Sequence, residues 1–162
     1  MNIEIKVLEI LEQNPKLSAQ EIAVMLGEDK ENIEEVIKKL EQDKVIVKYH
    51  TIVNWEKTEK EVVEAIVEVK VTPQRGFGYD AIAKRIYKFP EVKAVYLLSG
   101  DYDLHVVVEG KSMKDIAQFV GSKLAPLEYV LSTATHFIMK KYKDAGVILE
   151  DGEKDDREVI TL

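Results

Sequence analysis

The apolar residues of this chain follow a helical period up to about residue 42, and then change to a strand-rich pattern that helical stretches interrupt twice. This order of periods restricts the fold more than any composition figure does. Ile3, Val7, Ile10 and Leu11 recur at helical spacing, and "QNPK" ends that helix because Pro15 biases Asn14 out of the helical region. "SAQE" reads as a capping box, with Ser18 and Glu21 satisfying each other's amides, and it opens a short second helix with inner face Ile22, Ala23 and Leu26. Gly27 stops that helix. A third helix starts near Asp29, whose side chain is placed to cap it, and buries Ile33, Val36, Ile37 and Leu40. "VIVKYHTIV" is then β-prone and predicts a small hairpin or wing. Three short helices, the last two joined by a tight turn and followed by a wing, make a winged helix-turn-helix arrangement.

"NWEKTEKE" (54–61) is polar and reads as a linker, with Tyr49 and Trp55 expected to pack the wing onto it. After it, "VVEAIVEVKVT" alternates as a strand and "GYDAIAKRIYKFP" is an amphipathic helix closed by Pro90. "EVKAVYLLS" and "YDLHVVVEG" are strands joined at Gly100-Asp101, "SMKDIAQFVGSKLAPL" is a helix with Ser112 and Asp115 in capping-box positions, and "YVLSTATHFIMKKY" is a long last strand. The order is βαββαβ, the ferredoxin-like split, so the fold class is α+β. The predicted layout is a winged helix-turn-helix over 1–53, a linker over 54–61, a βαββαβ domain over 62–143 and an acidic tail over 144–162. The strands at 62–71 and 129–142 look apolar on both faces, so the sheet face without helices is expected to be covered by a copy of the chain.

At 162 residues and 46% hydrophobic content, the chain has enough material for one ordinary domain or two small ones. No apolar run approaches the roughly 20 residues that cross a bilayer, and "MNIEIKVLEI" has scattered charges where a signal peptide needs an apolar core. A soluble, cytoplasmic protein with no membrane partner is expected. Without cysteine there is no disulfide and no thiolate chemistry, and His50, His105 and His136 fall in three separate predicted strands without metal-ligand spacing, so neither metal nor cofactor is expected. No nucleophile elbow or phosphate loop is present, so no catalytic residue is assigned.

The net charge of −7 is uneven. The predicted third helix and its flanks, "EDKENIEEVIKKLEQD" (28–43), hold seven carboxylates against Lys30, Lys38 and Lys39. Lys and Arg contacts to phosphate supply most non-specific affinity for DNA, so this helix is electrostatically unlike a DNA reader although it occupies the reader's position. Glu34 with Lys38 and Glu35 with Lys39 are spaced for i, i+4 pairs. Lys38 and Lys39 remain able to approach phosphates, and Lys44 and Lys48 on the wing add to them.

Across nearly its whole length the chain resembles the Lrp/AsnC family, the feast/famine transcriptional regulators. "LSAQEIAVMLG", "IKKLEQDKVI" and the following "KY" are similar to the family's winged helix-turn-helix, and "FPEVKAVYLLSGDYDLHVVVEG" and "LEYVLSTATHFIMKKYK" to its effector-binding and oligomerisation domain. The most specific pieces are "GDYD" and "STAT". The chain departs from the family at the DNA-facing helix: Asp29, Glu34 and Glu35 stand where Ser, Ser and Arg are common, Val36 where another Arg is frequent, and Lys44 where a turn glycine is common. The resemblance implies DNA contacts from Lys30, Asn32, Lys38, Lys39, Lys44 and Lys48. It also implies a site for an amino acid or similar effector, placed between neighbouring dimers and formed by Ser99, Gly100, Asp101, Tyr102 and Asp103 with Leu131, Ser132, Thr133 and Thr135. In such a site backbone N–H groups near Gly100 would hold a carboxylate, and Asp101 or Asp103 an ammonium. It further implies a homodimer assembling to an octamer. Siroheme decarboxylases share the two-domain plan and look to rely on His and Arg around a tetrapyrrole, but the first domain here has His50 and no arginine. The rival from another class is an oligomeric small-molecule sensor whose acidic helix binds a protein in place of DNA.

Overall fold

The computed structural model describes residues 2–73, 75, 76 and 78–150. The predicted acidic tail beyond residue 150, with Lys154 and Arg157, lies outside the described residues. The chain divides into two compact units between Ile52 and Val53.

In the first unit α1 (Ile3–Gln13), α2 (Ala19–Leu26) and α3 (Lys30–Gln42) surround a core of Val7, Leu11, Ile22, Ala23, Ile33 and Leu40. Both halves of the α2 capping box form: the Glu21 amide donates to Ser18 Oγ at 3.3 Å and the Ser18 amide donates to Glu21 Oε2 at 2.7 Å. Gly27 closes the helix with φ 69°, a left-handed conformation that glycine adopts without a Cβ penalty. α3 differs from expectation at its start, where Asp29 occupies the N-cap position but its side chain makes no capping hydrogen bond.

The predicted wing is absent among the described residues: no strand forms between 45 and 54. A lone two-stranded hairpin is marginal in water, and here Val45 and Val47 stay exposed, so β propensity has no core to reward it. His50 is accordingly exposed and in no strand. With no wing to pack, the two aromatic residues take local partners. The Tyr49 hydroxyl donates to Glu41 in the first unit, while Trp55 begins a 3-10 turn (Trp55–Lys57) in the second and lies under Lys60.

The second unit contains β1 (Val63–Val71), α4 (Asp80–Ile86), β2 (Val92–Leu97), β3 (Leu104–Gly110), α5 (Met113–Phe119) and β4 (Val130–Phe137). The sheet is antiparallel in the order β2-β3-β1-β4, which places the two sequence-distant strands β1 and β3 at its centre. Alternation on β1 buries Ala65, Val67, Val69 and Val71 against Ile82 and Ile86 of α4 and Ile116 and Phe119 of α5, so both helices cover one face. A π-helical turn, Val120–Leu124, extends α5 and buries Leu124 in the same core.

Two expectations change here. The last strand stops at Phe137, and Lys143–Asp144 (β5) pairs with Val147–Ile148 (β6) in a separate small hairpin. The chain therefore turns back where a simple tail was expected, and the Asn54 side chain donates to the Leu149 carbonyl to hold it. The helix-free face of the sheet is also mixed and not uniformly apolar. Its residues include Ile66, Val107 and Ala134 together with Glu68, Lys70, His105 and His136, since they pair opposite one another across the strands.

Candidate functional site

The first candidate surface is α3. Its buried stripe, Ile33 and Leu40 with half-buried Val36 and Ile37, leaves the opposite side to charged and polar residues. Of the predicted DNA-contacting residues, all six are exposed. Lys30 is paired with Glu34 at 3.1 Å, and the Asn32 amide donates to Glu28 at 3.0 Å. Lys39 reaches across to Glu4 of α1 at 2.7 Å. The Lys39 hydrogen bond, with help from Asn2, holds the Glu4 carboxyl below its usual range, and the same bond raises the Lys39 ammonium. The expected pairs Glu34–Lys38 and Glu35–Lys39 do not form. Glu34 has a lysine at i−4 as well as i+4 and takes the former, while Lys39 is drawn to a partner on another helix that no local spacing announces. Lys38 has no ion pair among the described residues.

Lys44 follows the Asp43 cap with φ 56°, and the Val45 amide donates to the Leu40 carbonyl at 2.9 Å. This is a Schellman-type helix exit with lysine at the left-handed position that glycine normally fills. Lys48 is exposed in the strandless segment.

The second candidate surface is one end of the sheet. The Ser99–Asp103 turn adjoins the Val69–Val71 end of β1 on one side, and Ser132 and Thr133 adjoin the same end on the other, opposite Lys70 and Val69. Only β1 separates them, about two strand spacings or roughly 10 Å. Ser99, Gly100, Asp101, Leu131 and Ser132 are exposed; Tyr102, Asp103, Thr133 and Thr135 are half-buried. A register shift at Lys70/Val71 leaves Leu131 as the extra residue on β4, and 63% of it is exposed.

The set does not act as one cluster. Thr133 and Thr135 lie opposite Val69 and Val67 on the helix-covered face, whereas Ser132 lies opposite Lys70 on the other. Asp103 ties the turn to β1 and to the end of β2. Its Oδ2 accepts from the Val71 amide at 2.8 Å, its own amide donates to the Val69 carbonyl at 3.1 Å, and its carbonyl accepts from the Leu98 amide at 2.8 Å. Of the two aspartates, Asp101 is the exposed one, and its side chain has no hydrogen bond or ion pair among the described residues. A cavity of about 120 Å³ lies at the opposite end of the sheet, lined by Trp55, Val62, Ile138 and Lys141 among others, where Lys141 is held by Glu64 and Asp144. It contains none of the predicted effector residues.

Sequence reasoning missed Glu4 as the partner of Lys39 and the role of Asp103 in anchoring β1, because both are contacts between distant segments. Among the described residues no helix is long and apolar enough to cross a membrane, and no group of His, Asp and Glu is arranged to hold a metal ion.

The chain thus consists of a helix-turn-helix unit followed by a ferredoxin-like module, the plan of a helix-turn-helix class of protein. Residues 2–47 match a family model described as winged helix-turn-helix DNA-binding, and residues 64–148 match the Lrp/AsnC ligand binding domain. The chain belongs to the Lrp/AsnC family of transcriptional regulators. It is 48% identical over 159 residues to the uncharacterized HTH-type transcriptional regulator YugG of Bacillus subtilis, covering 98% of this chain and 96% of that one. It is 30% identical over 143 residues to the HTH-type transcriptional regulator FL11 of Pyrococcus furiosus, covering 88% and 91%. The fold also matches the crystal structure of the transcriptional regulator NMB0573 of Neisseria meningitidis in complex with L-Met, with a TM-score of 0.72, 21% identity and coverage of 89% and 93%. These relatives are named as transcriptional regulators.

Proposed function

We propose that this protein is a cytoplasmic regulator that binds operator DNA through α3 and its exit, and that an amino acid or similar small molecule binds at the sheet end formed by Gly100–Asp103 and Leu131–Thr133. The observation that carries the effector site is the convergence of a glycine-containing turn and the start of β4 on one end of β1, within the part of the chain that matches a ligand-binding family model. The bound L-Met of the similarly folded regulator supports an amino acid as the ligand class. Because the site in one protomer is open and split between two faces, a copy of the chain completes it. The mixed sheet face serves the homodimer, and dimers assemble further, to an octamer. Ligand then favours one quaternary arrangement over another and so changes the spacing of the helix-turn-helix units, a coupling between two sites. Multivalency offsets weak DNA contacts by each unit. The acidity of α3 is the one observation that favours a protein partner in place of DNA.

The test is fluorescence anisotropy of the purified protein on its own upstream DNA across a salt series, with random DNA as control, repeated with a panel of amino acids. Specific retention that weakens with salt and shifts with one amino acid is expected. Asp101→Asn should remove the amino-acid response and any ligand-induced rise in Tm while leaving the oligomer intact. An unchanged response removes the effector assignment, and no retention at low salt with the oligomer intact moves the function to protein binding.

A further inference from the structure

The hydrogen bonds around α3 sort its surface in a way the sequence does not show. Lys30 is tied to Glu34, Asn32 to Glu28, Lys39 to Glu4 and Glu41 to Tyr49. Four exposed residues of α3 have side chains without a hydrogen bond or ion pair among the described residues: Glu31, Glu35, Lys38 and Gln42. Their spacing, i, i+4, i+7 and i+11, puts them on a single ridge, directly opposite the buried stripe of Ile33, Val36, Ile37 and Leu40. The flanking side chains are engaged within the unit, Lys30 and Lys39 in ion pairs and Asn32 and Glu41 in hydrogen bonds with Glu28 and Tyr49. The outermost ridge presents two free carboxylates, one free ammonium and one free amide.

We infer that this ridge is the base-reading edge of the protein, and that Glu31 and Glu35 select cytosine in the major groove. The inference rests on the DNA-binding reading of α3. A carboxylate only accepts hydrogen bonds. Guanine presents two acceptors in the major groove and thymine an acceptor and a methyl group, so both are repelled or left unpaired. Adenine places an acceptor beside its amino group. Cytosine alone offers an amino donor without an acceptor beside it, which suits a glutamate. Lys38 is placed for guanine or a phosphate, and Gln42 for adenine.

The same carboxylates explain how an acidic helix serves a regulator. Specificity is a difference of affinities, and a free carboxylate on the reading edge lowers binding to every wrong sequence through repulsion and desolvation. Non-specific affinity falls, and the discrimination between sites rises. The pair Lys30–Glu34 offsets one of the carboxylates beside the ridge.

The experiment is selection from random duplexes with the full chain, in parallel for the wild type, Glu31→Gln and Glu35→Gln, with circular dichroism and sizing to show that fold and assembly are kept. Wild-type sites should carry cytosine at two fixed positions in each half-site. Each variant should lose the cytosine preference at one of them, bind the wild-type site roughly ten- to hundredfold more weakly and bind random duplex more tightly. Replacing the selected C·G pair with T·A should weaken the wild type by a similar factor and leave the matching variant indifferent. Variants that select the same sequences as the wild type overturn the inference while leaving DNA binding intact. Wild-type protein that retains no duplex above random, even at low salt, overturns the DNA-binding reading and this inference with it.

Discussion

The two units hold themselves together differently. Among the described residues the βαββαβ unit has thirteen buried apolar side chains in one cluster, whereas the helix-turn-helix unit has six. The smaller core is accompanied by local capping, as in the Ser18–Glu21 box, and by the exposed Glu4–Lys39 pair. In the larger unit the packed face of the sheet lies apart from the helix-free face and the Ser99–Asp103 turn. In the smaller unit the proposed DNA-binding surface also carries side chains that pair within the fold, so stability and recognition would compete for them.

Truncating matched core residues tests this contrast with the largest expected effect. Ile33→Ala in the small unit and Ile86→Ala in the large one each remove a fully buried isoleucine and should cost about 2–5 kcal/mol. In calorimetry or denaturant titration the first should unfold the helix-turn-helix unit while the sheet unit persists, and the second should lower the sheet transition without abolishing it. A single shared transition in both variants would show that the units do not unfold independently.

A smaller effect is expected at Lys44, where lysine occupies a left-handed conformation. Lys44→Gly should stabilise the first unit by about 1 kcal/mol, since a Cβ is unfavourable there. It should also weaken DNA binding and reduce the salt slope by about one unit, if the ammonium meets a phosphate. Gain of stability without loss of DNA affinity would remove Lys44 from the interface.

The smallest effect concerns pH. Lys39 depresses the Glu4 carboxyl, so the pair contributes stability above the unfolded carboxylate range, and that contribution is lost as pH falls through the lowered folded value. Glu4→Gln should make the acid limb of the first unit's stability curve shallower while changing little at neutral pH, because the pair is exposed and solvent-screened. An acid limb identical to the wild type would show that the Glu4–Lys39 pair does not stabilise the fold in solution.

Legibility follows the range of the interaction. The Ser18 box and the Gly27 stop are readable because each depends on neighbours within a few residues, and the βαββαβ order is readable because strand and helix periods are local properties. The β propensity of 45–53 misleads because pairing needs a third strand or a packed face, which the local pattern does not report. The proposed effector residues fall at one end of the sheet, but their division between faces depends on the register of β1 with β4 and on the bulge beside Val71.

Local sequence is therefore enough for the three helices, their buried stripe, the alternation of the central strands and the excess of carboxylate on α3. Which lysine of α3 is drawn away from those carboxylates is a tertiary property. Glu4 meets Lys39 across 35 positions and Asp103 meets Val71 across 32, and such contacts form only when the core has fixed the distance between elements that the chain itself leaves free.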